Sequence, residues 1–145
     1  MGSWMPDAVL VYVVSVTTLM AAHQLGDHVL QSDRQAAHKA DPGLTGWSCM
    51  ALHVGIYHVI ATVMLLVAFV GLGLGTPVRG LIAGLAFSAV THAFLDRRWP
   101  VRLILTRMGS PTFAVMQSPV NGMYVADQAL HYACLWISAI LIARL

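Results

Sequence analysis

The chain contains no glutamate, and charged residues of every kind make up only 10% of its 145 positions. A water-soluble domain carries roughly 25% charged residues, so a water-facing surface of ordinary composition is excluded. With every acid an aspartate, the Glu–Lys pairs that support exposed soluble helices are excluded too. Cysteine is as scarce. Cys49 and Cys134 both lie inside apolar runs without a CxxC spacing, which excludes a disulfide framework and leaves packing as their role. The net charge of +2 is small and scattered, which excludes nucleic acid as a partner. No basic segment precedes the first apolar run, and that run is too long for a cleaved signal peptide, so it is expected to stay in the membrane.

What the chain does have is apolar length. It is 58% hydrophobic, with a mean hydropathy of +0.73. A fold of this size has too little interior to hide so much apolar surface from water, whereas a bilayer solvates it. A spanning helix needs about 20 mostly apolar residues, and four runs qualify, at about 8–31, 47–71, 78–96 and 124–144. Asp7, preceded by Pro6, is the expected N-cap of the first. The expectation is therefore an all-α, four-transmembrane-helix bundle forming a single integral-membrane domain over residues 1–145. Its partner is the lipid bilayer, and assembly with further copies of itself stays open.

The connections differ in kind. Residues 32–46 are polar and contain Asp41-Pro42-Gly43, a turn signal. Residues 72–77 form a short Gly-rich turn, so the second and third helices should make a tight hairpin. Residues 97–123 begin Arg97-Arg98-Trp99-Pro100 and mix apolar positions with Arg102 and Arg107, which reads as an amphipathic stretch lying at the interface. The connections after helices one and three carry Arg34, Lys39, Arg97, Arg98, Arg102 and Arg107, while the opposite side carries Arg79 and Arg144. Six basic residues against two place those connections in the cytoplasm and both termini outside.

Ionisable residues inside spanning helices cost a few kcal/mol each, and here they are patterned. The first helix carries His23-x3-Asp27, with Gln31 one turn further on. The second carries His53-x3-Tyr57, the third His92-x3-Asp96, and the fourth Asp127-Gln128-x2-His131. Residues four apart stack on one helical face, so each helix projects a pair in one direction. The pairs close helices one and three and open helices two and four. Because successive helices alternate in direction, all four pairs fall at the same, cytoplasmic, end.

A weak repeat is present as well. His23-x3-Asp27 followed by Ala51-Leu52-His53 is echoed by His92-x3-Asp96 followed by Ala129-Leu130-His131. The two halves should be related by an approximate two-fold axis along the membrane normal. Each half offers two histidines and one aspartate, a set that suits zinc, manganese or non-haem iron. The two sets either share one metal or form a dinuclear centre. His23, Asp27, His53, His92, Asp96 and His131 are the candidate ligands, with Asp127 a further ligand or the catalytic base. Gln31, Tyr57 and Gln128 are candidate supports for those ligands. A purely structural hydrogen-bond network competes with the metal reading, and for His28 and His58 the structural role is the expectation.

At these residues the sequence resembles a family of bacterial and phage integral-membrane proteins, domain of unknown function 3307. The resemblance rests on His23-x3-Asp27-x3-Gln31, Lys39, His53-x3-Tyr57, Thr91-His92-x3-Asp96 and Asp127-Gln128-x2-His131. Such proteins often have Phe after the first of these aspartates, where His28 stands here. The pattern is also distantly similar to membrane-bound metal-dependent hydrolases. The resemblance implies a bacterial inner membrane as the location.

Three classes of function follow. The first is a membrane-embedded hydrolase using a divalent metal, zinc ahead of iron or manganese, on a lipid or lipid-linked phosphate. Lys39, Arg97 and Arg98 are then candidate substrate-binding residues. The second is a di-iron-type membrane oxidoreductase. The third is non-enzymatic, a membrane modulator or an ion or proton pathway, which would spread its polar residues through the membrane depth. Whether the protein is an enzyme stays open at this level.

Overall fold

The computed structural model describes residues 6–145, with side chains from Ala8 onward. Four long helices, α1 (Pro6–His28), α3 (Gly43–Gly71), α4 (Val78–Leu95) and α7 (Gly122–Arg144), alternate with three short ones. These are α2 (Asp33–His38), α5 (Trp99–Arg107) and α6 (Pro111–Val115). The four long helices are long and apolar enough to cross a membrane, and no strand occurs among the described residues. The bundle is the one expected. Its boundaries differ in detail: α1 stops at His28 rather than near Gln31, and α3 begins at Gly43, ahead of position 47. Asp7, expected as the cap, instead lies inside α1, which begins one residue earlier, and its side chain lies outside the described residues.

The reason for the helical interior is a stripe of residues four apart. On α3 the buried face runs His53, Tyr57, Ala61, Leu65, Phe69, and on α4 it runs Gly80, Gly84, Ser88, His92. The opposite face of α3 carries Val59, Val63, Val67 and Val70, all more than half exposed. A helix apolar on both faces is stable only where its outer face also meets an apolar medium. The apolar core, built around Leu19, Ala61, Leu65, Phe69 and Ile142, fills one end of the bundle. The polar residues of the same stripes occupy the other end.

α1 packs on α3 and α7, and α4 packs on α7 and α3. The diagonal pairs, α1 with α4 and α3 with α7, have no Cα atoms within 8 Å among the described residues. An axis exchanging α1 with α4 and α3 with α7 preserves this arrangement, so the packing has the two-fold pattern of the sequence repeat. Close approach depends on glycine at two places. A Cβ on Gly80 would lie 2.3 Å from the Ile142 carbonyl oxygen, and one on Gly84 would lie 2.7 Å from that of Ser138, so α4 meets α7 backbone to backbone. A Cβ on Gly26 would lie 2.6 Å from the Tyr57 ring, so this glycine lets Asp27 approach α3.

The polar connection after α1 is itself helical. Ser32 and Gln35 form a reciprocal capping box that starts α2. Its carbonyl end is held from the turn between α4 and α5: Arg97 donates to the carbonyls of Lys39 and Asp41, and Arg98 to that of Ala36, all at 3.0 Å. These contacts satisfy carbonyls that a helix end leaves unpaired. They also fix Lys39, the residue that ends α2, facing inward. The stretch after α4 divides into α5, which is amphipathic as expected, and α6, which was not foreseen.

Candidate metal centre

Four helix ends converge at the polar end of the bundle. His53 and His92 bring their Nε2 atoms to 3.0 Å from one another. Asp27 Oδ1 lies 3.4 Å from each of them, and Asp96 Oδ2 lies 3.1 Å from His53 and 3.3 Å from His92. Five of the six edges joining these atoms therefore fall between 3.0 and 3.4 Å. Ligands on a tetrahedral zinc with bonds near 2.0–2.1 Å are separated by roughly 3.3–3.4 Å. The four side chains are at most 7% exposed.

Asp96 continues to a second group. Asp96, Asp127 and His131 each place one potential ligand atom within 4.8 Å of the other two. Asp96 Oδ2 faces His53 and His92, while its Oδ1 lies 4.0 Å from His131 Nε2. His131 donates from Nδ1 to the Asp127 carbonyl at 2.9 Å, which leaves Nε2 as the nitrogen with a lone pair. That buried Nε2 and Asp27 Oδ1 have no hydrogen-bond partner among the described residues.

Lys39 reaches the same group from α2. Its ammonium donates to Asp96 Oδ2 at 2.8 Å and lies 3.3 Å from His53 Nε2, with only 8% of the residue exposed. With the histidines neutral, Asp27 and Asp96 against the Lys39 ammonium leave one negative charge in the buried group. Uncompensated charge is costly there, and a metal ion is one compensation that this donor set could hold.

His23 stands apart from both compact groups. Its Nε2 donates to Gln128 Oε1 at 3.2 Å and lies 3.6 Å from Asp27 Oδ2. Gln128 in turn donates to Asp127 Oδ2 at 3.4 Å, so His23, Gln128 and Asp127 form one chain of contacts. The His23 ring also stacks on His131, with centroids 5.1 Å apart. Gln31 comes to His53, its amide nitrogen 2.9 Å from Nδ1. Tyr57 stacks its ring on His92 at 4.6 Å between centroids.

The two histidines read as structural have structural partners. His58 bonds the Val54 carbonyl and the Ser88 hydroxyl, and His28 meets the Tyr124 hydroxyl at 2.5 Å.

These positions lie within the matched part of a known family. Residues 15–144 match the family described as Protein of unknown function (DUF3307). The chain belongs to this family. The DUF3307 match takes in every cluster residue from His23 to His131. No curated protein and no solved structure matches the chain.

A cavity of about 440 Å³ adjoins the cluster, with Asp27, Lys39, Arg98, Arg102, Tyr124 and Asp127 in its wall. Of the basic residues singled out in the sequence, Lys39 and Arg98 line it, whereas Arg97 is occupied by carbonyls and lies over the Trp47 ring. Arg102 was missed, although Arg98-x3-Arg102 has the same four-residue spacing that marked the His/Asp pairs. Arg98 holds its place with a φ of 63°, a left-handed conformation uncommon for a side chain of this size.

Proposed function

We propose that the protein is a membrane-embedded, metal-dependent hydrolase acting on a lipid phosphate or lipid-linked phosphate. The observation that carries this reading is the near-tetrahedral spacing of Asp27 Oδ1, His53 Nε2, His92 Nε2 and Asp96 Oδ2. A hydrogen-bond network needs a donor between each pair of acceptors. Four buried potential ligand atoms at nearly equal separations suit a cation at their centre. Zinc fits the spacing and the His/Asp donor set best, ahead of iron and manganese.

A metal in such a site lowers the pKa of bound water and polarises a phosphoryl oxygen. Hydrolysis adds water across a phosphoester bond. The water oxygen bonds to phosphorus, the ester P–O bond breaks, one proton ends on the leaving alcohol and the other on the released phosphate. Lys39, Arg98 and Arg102 supply the positive wall a phosphate requires. Exposed Val29 and Leu30 stand between the cavity residues His28 and Gln31, an apolar approach suited to a substrate whose chains stay in the bilayer. The excess of basic residues in the connections at this end favours a cytoplasmic site with both termini outside. The buried Leu19, Leu65 and Phe69 that fill the other end favour a local site over a pathway through the bundle.

The test is elemental analysis of detergent-purified protein, followed by phosphate release from a phosphomonoester lipid in mixed micelles. At least one equivalent of metal and metal-dependent release are expected, and His92→Ala should lower the metal content. Metal-free wild-type protein would overturn the whole reading. Metal-loaded protein inert towards lipid phosphates would overturn the hydrolase part alone.

A further inference from the structure

The tetrahedral cage poses a difficulty for catalysis that the neighbouring residues resolve. Four protein ligands close a zinc site, whereas hydrolytic sites keep three protein ligands and leave a position for water. The cage of Asp27, His53, His92 and Asp96 is of the closed kind. Resting on the metal reading above, we propose a second metal position, held by Asp96, Asp127 and His131 and open to the cavity, as the catalytic one.

Three independent observations lead there. First, Asp96 turns its two oxygens in different directions, Oδ2 into the cage and Oδ1 towards His131 Nε2 at 4.0 Å, as a carboxylate bridging two metals does. Second, the His131 Nδ1 proton is committed to the Asp127 carbonyl. The Nε2 of this residue, only 2% exposed and without a hydrogen-bond partner among the described residues, therefore faces the Asp96 Oδ1 oxygen at 4.0 Å. Two lone pairs facing each other in a buried site repel unless a cation lies between them. Third, the set is sited for access. Each set reaches the cavity wall through one carboxylate, the cage through Asp27, 7% exposed, and the second set through Asp127, 20% exposed. Asp127 is the more exposed of the two cluster carboxylates in that wall, so water and a phosphate oxygen in the cavity meet this position first.

The sequence repeat sharpens the assignment. Aligning Ala51-Leu52-His53 with Ala129-Leu130-His131 places Cys49 opposite Asp127. The added carboxylate thus occurs in one half only, on the side of the bundle that the cavity opens.

The experiment is metal titration of the full chain in detergent, with zinc for stoichiometry and manganese for electron paramagnetic resonance. Wild-type protein should bind two equivalents and give the exchange-coupled spectrum of a bridged manganese pair. Asp127→Asn, an isosteric change at a partly exposed position, should bind one equivalent and give the six-line signal of an isolated ion. His131→Gln should behave alike. One equivalent in both wild type and Asp127→Asn would overturn the second position and leave the cage standing. A fall from two equivalents to none in Asp127→Asn would overturn the division into separate positions. No metal in the wild type would instead remove the reading on which this one rests.

Discussion

A metal held in the cage should act as a cross-link, and chelation measures how strongly. The four cage ligands come from α1, α3 and the end of α4, so one ion ties three of the four long helices at the polar end. A ligand present at a thousand times its dissociation constant stabilises the folded state by about 4.1 kcal/mol. For a chain of this size each kcal/mol moves Tm by about 2–4 °C. Removing the ion with a chelator should therefore lower Tm by about 8–16 °C, and zinc added afterwards should restore it. His92 is the informative position, because its Nε2 makes three of the cage edges, at 3.0, 3.3 and 3.4 Å. In His92→Ala the chelator-induced shift should shrink, whatever the lost packing against Tyr57 does to the starting Tm. His58→Ala is the control: its partners are Ser88 and the Val54 carbonyl, so the full shift should remain. The assay is thermal unfolding in detergent with and without chelator. A wild-type Tm indifferent to chelator and zinc, or equal loss of the shift in both variants, would refute the reasoning.

Other perturbations separate the parts of the site. Acidification should release the metal, because aspartate and histidine bind it only when deprotonated. Metal content should be full at neutral pH and fall as the pH drops through the histidine range, near 6.5; content unchanged down to pH 4.5 would contradict His ligation. Lys39→Met removes an ammonium 2.8 Å from Asp96 that repels a cation in the cage, so metal binding should tighten, as read by competition with a chelator of known affinity. Arg102→Gln should raise KM for a phosphomonoester lipid while leaving the metal content unchanged, and loss of metal would assign Arg102 a structural role instead. Gly80→Ala forces a Cβ to 2.3 Å from the Ile142 carbonyl and should cost about 1–3 kcal/mol in unfolding experiments. Gly71→Ala, which meets nothing within 4 Å, should change stability by under about 1 kcal/mol.

The four-residue spacing of His23 with Asp27, His92 with Asp96 and Asp127 with His131 is written in the chain, and helical periodicity turns it directly into geometry. The alternating direction of four spanning helices then puts every pair at one end. Lys39 shows where such reasoning stops. Its ammonium lies against Asp96, 57 residues away, because a capping box starts α2 and two arginines beyond α4 hold its end. No local pattern encodes that meeting. Arg97 and Arg98 are adjacent and chemically alike, yet one is spent on carbonyls over Trp47 while the other also lines the cavity.

Composition, apolar length and periodicity thus determined that this protein is a helical membrane bundle with a His/Asp cluster at one end. These features arise from interactions between near neighbours and with the solvent, which any stretch of sequence carries within itself. Tertiary structure alone decided which atoms of the cluster meet. It drew Asp27, His53, His92 and Asp96 into a cage across the two halves of the repeat, left His23 beside Gln128, and turned the two oxygens of Asp96 in different directions. Coordination depends on separations of a few tenths of an ångström between helices distant in the chain. Such distances are set by contacts like Gly26 on Tyr57 and Gly80 on Ile142, where a single missing methyl lets two backbones touch.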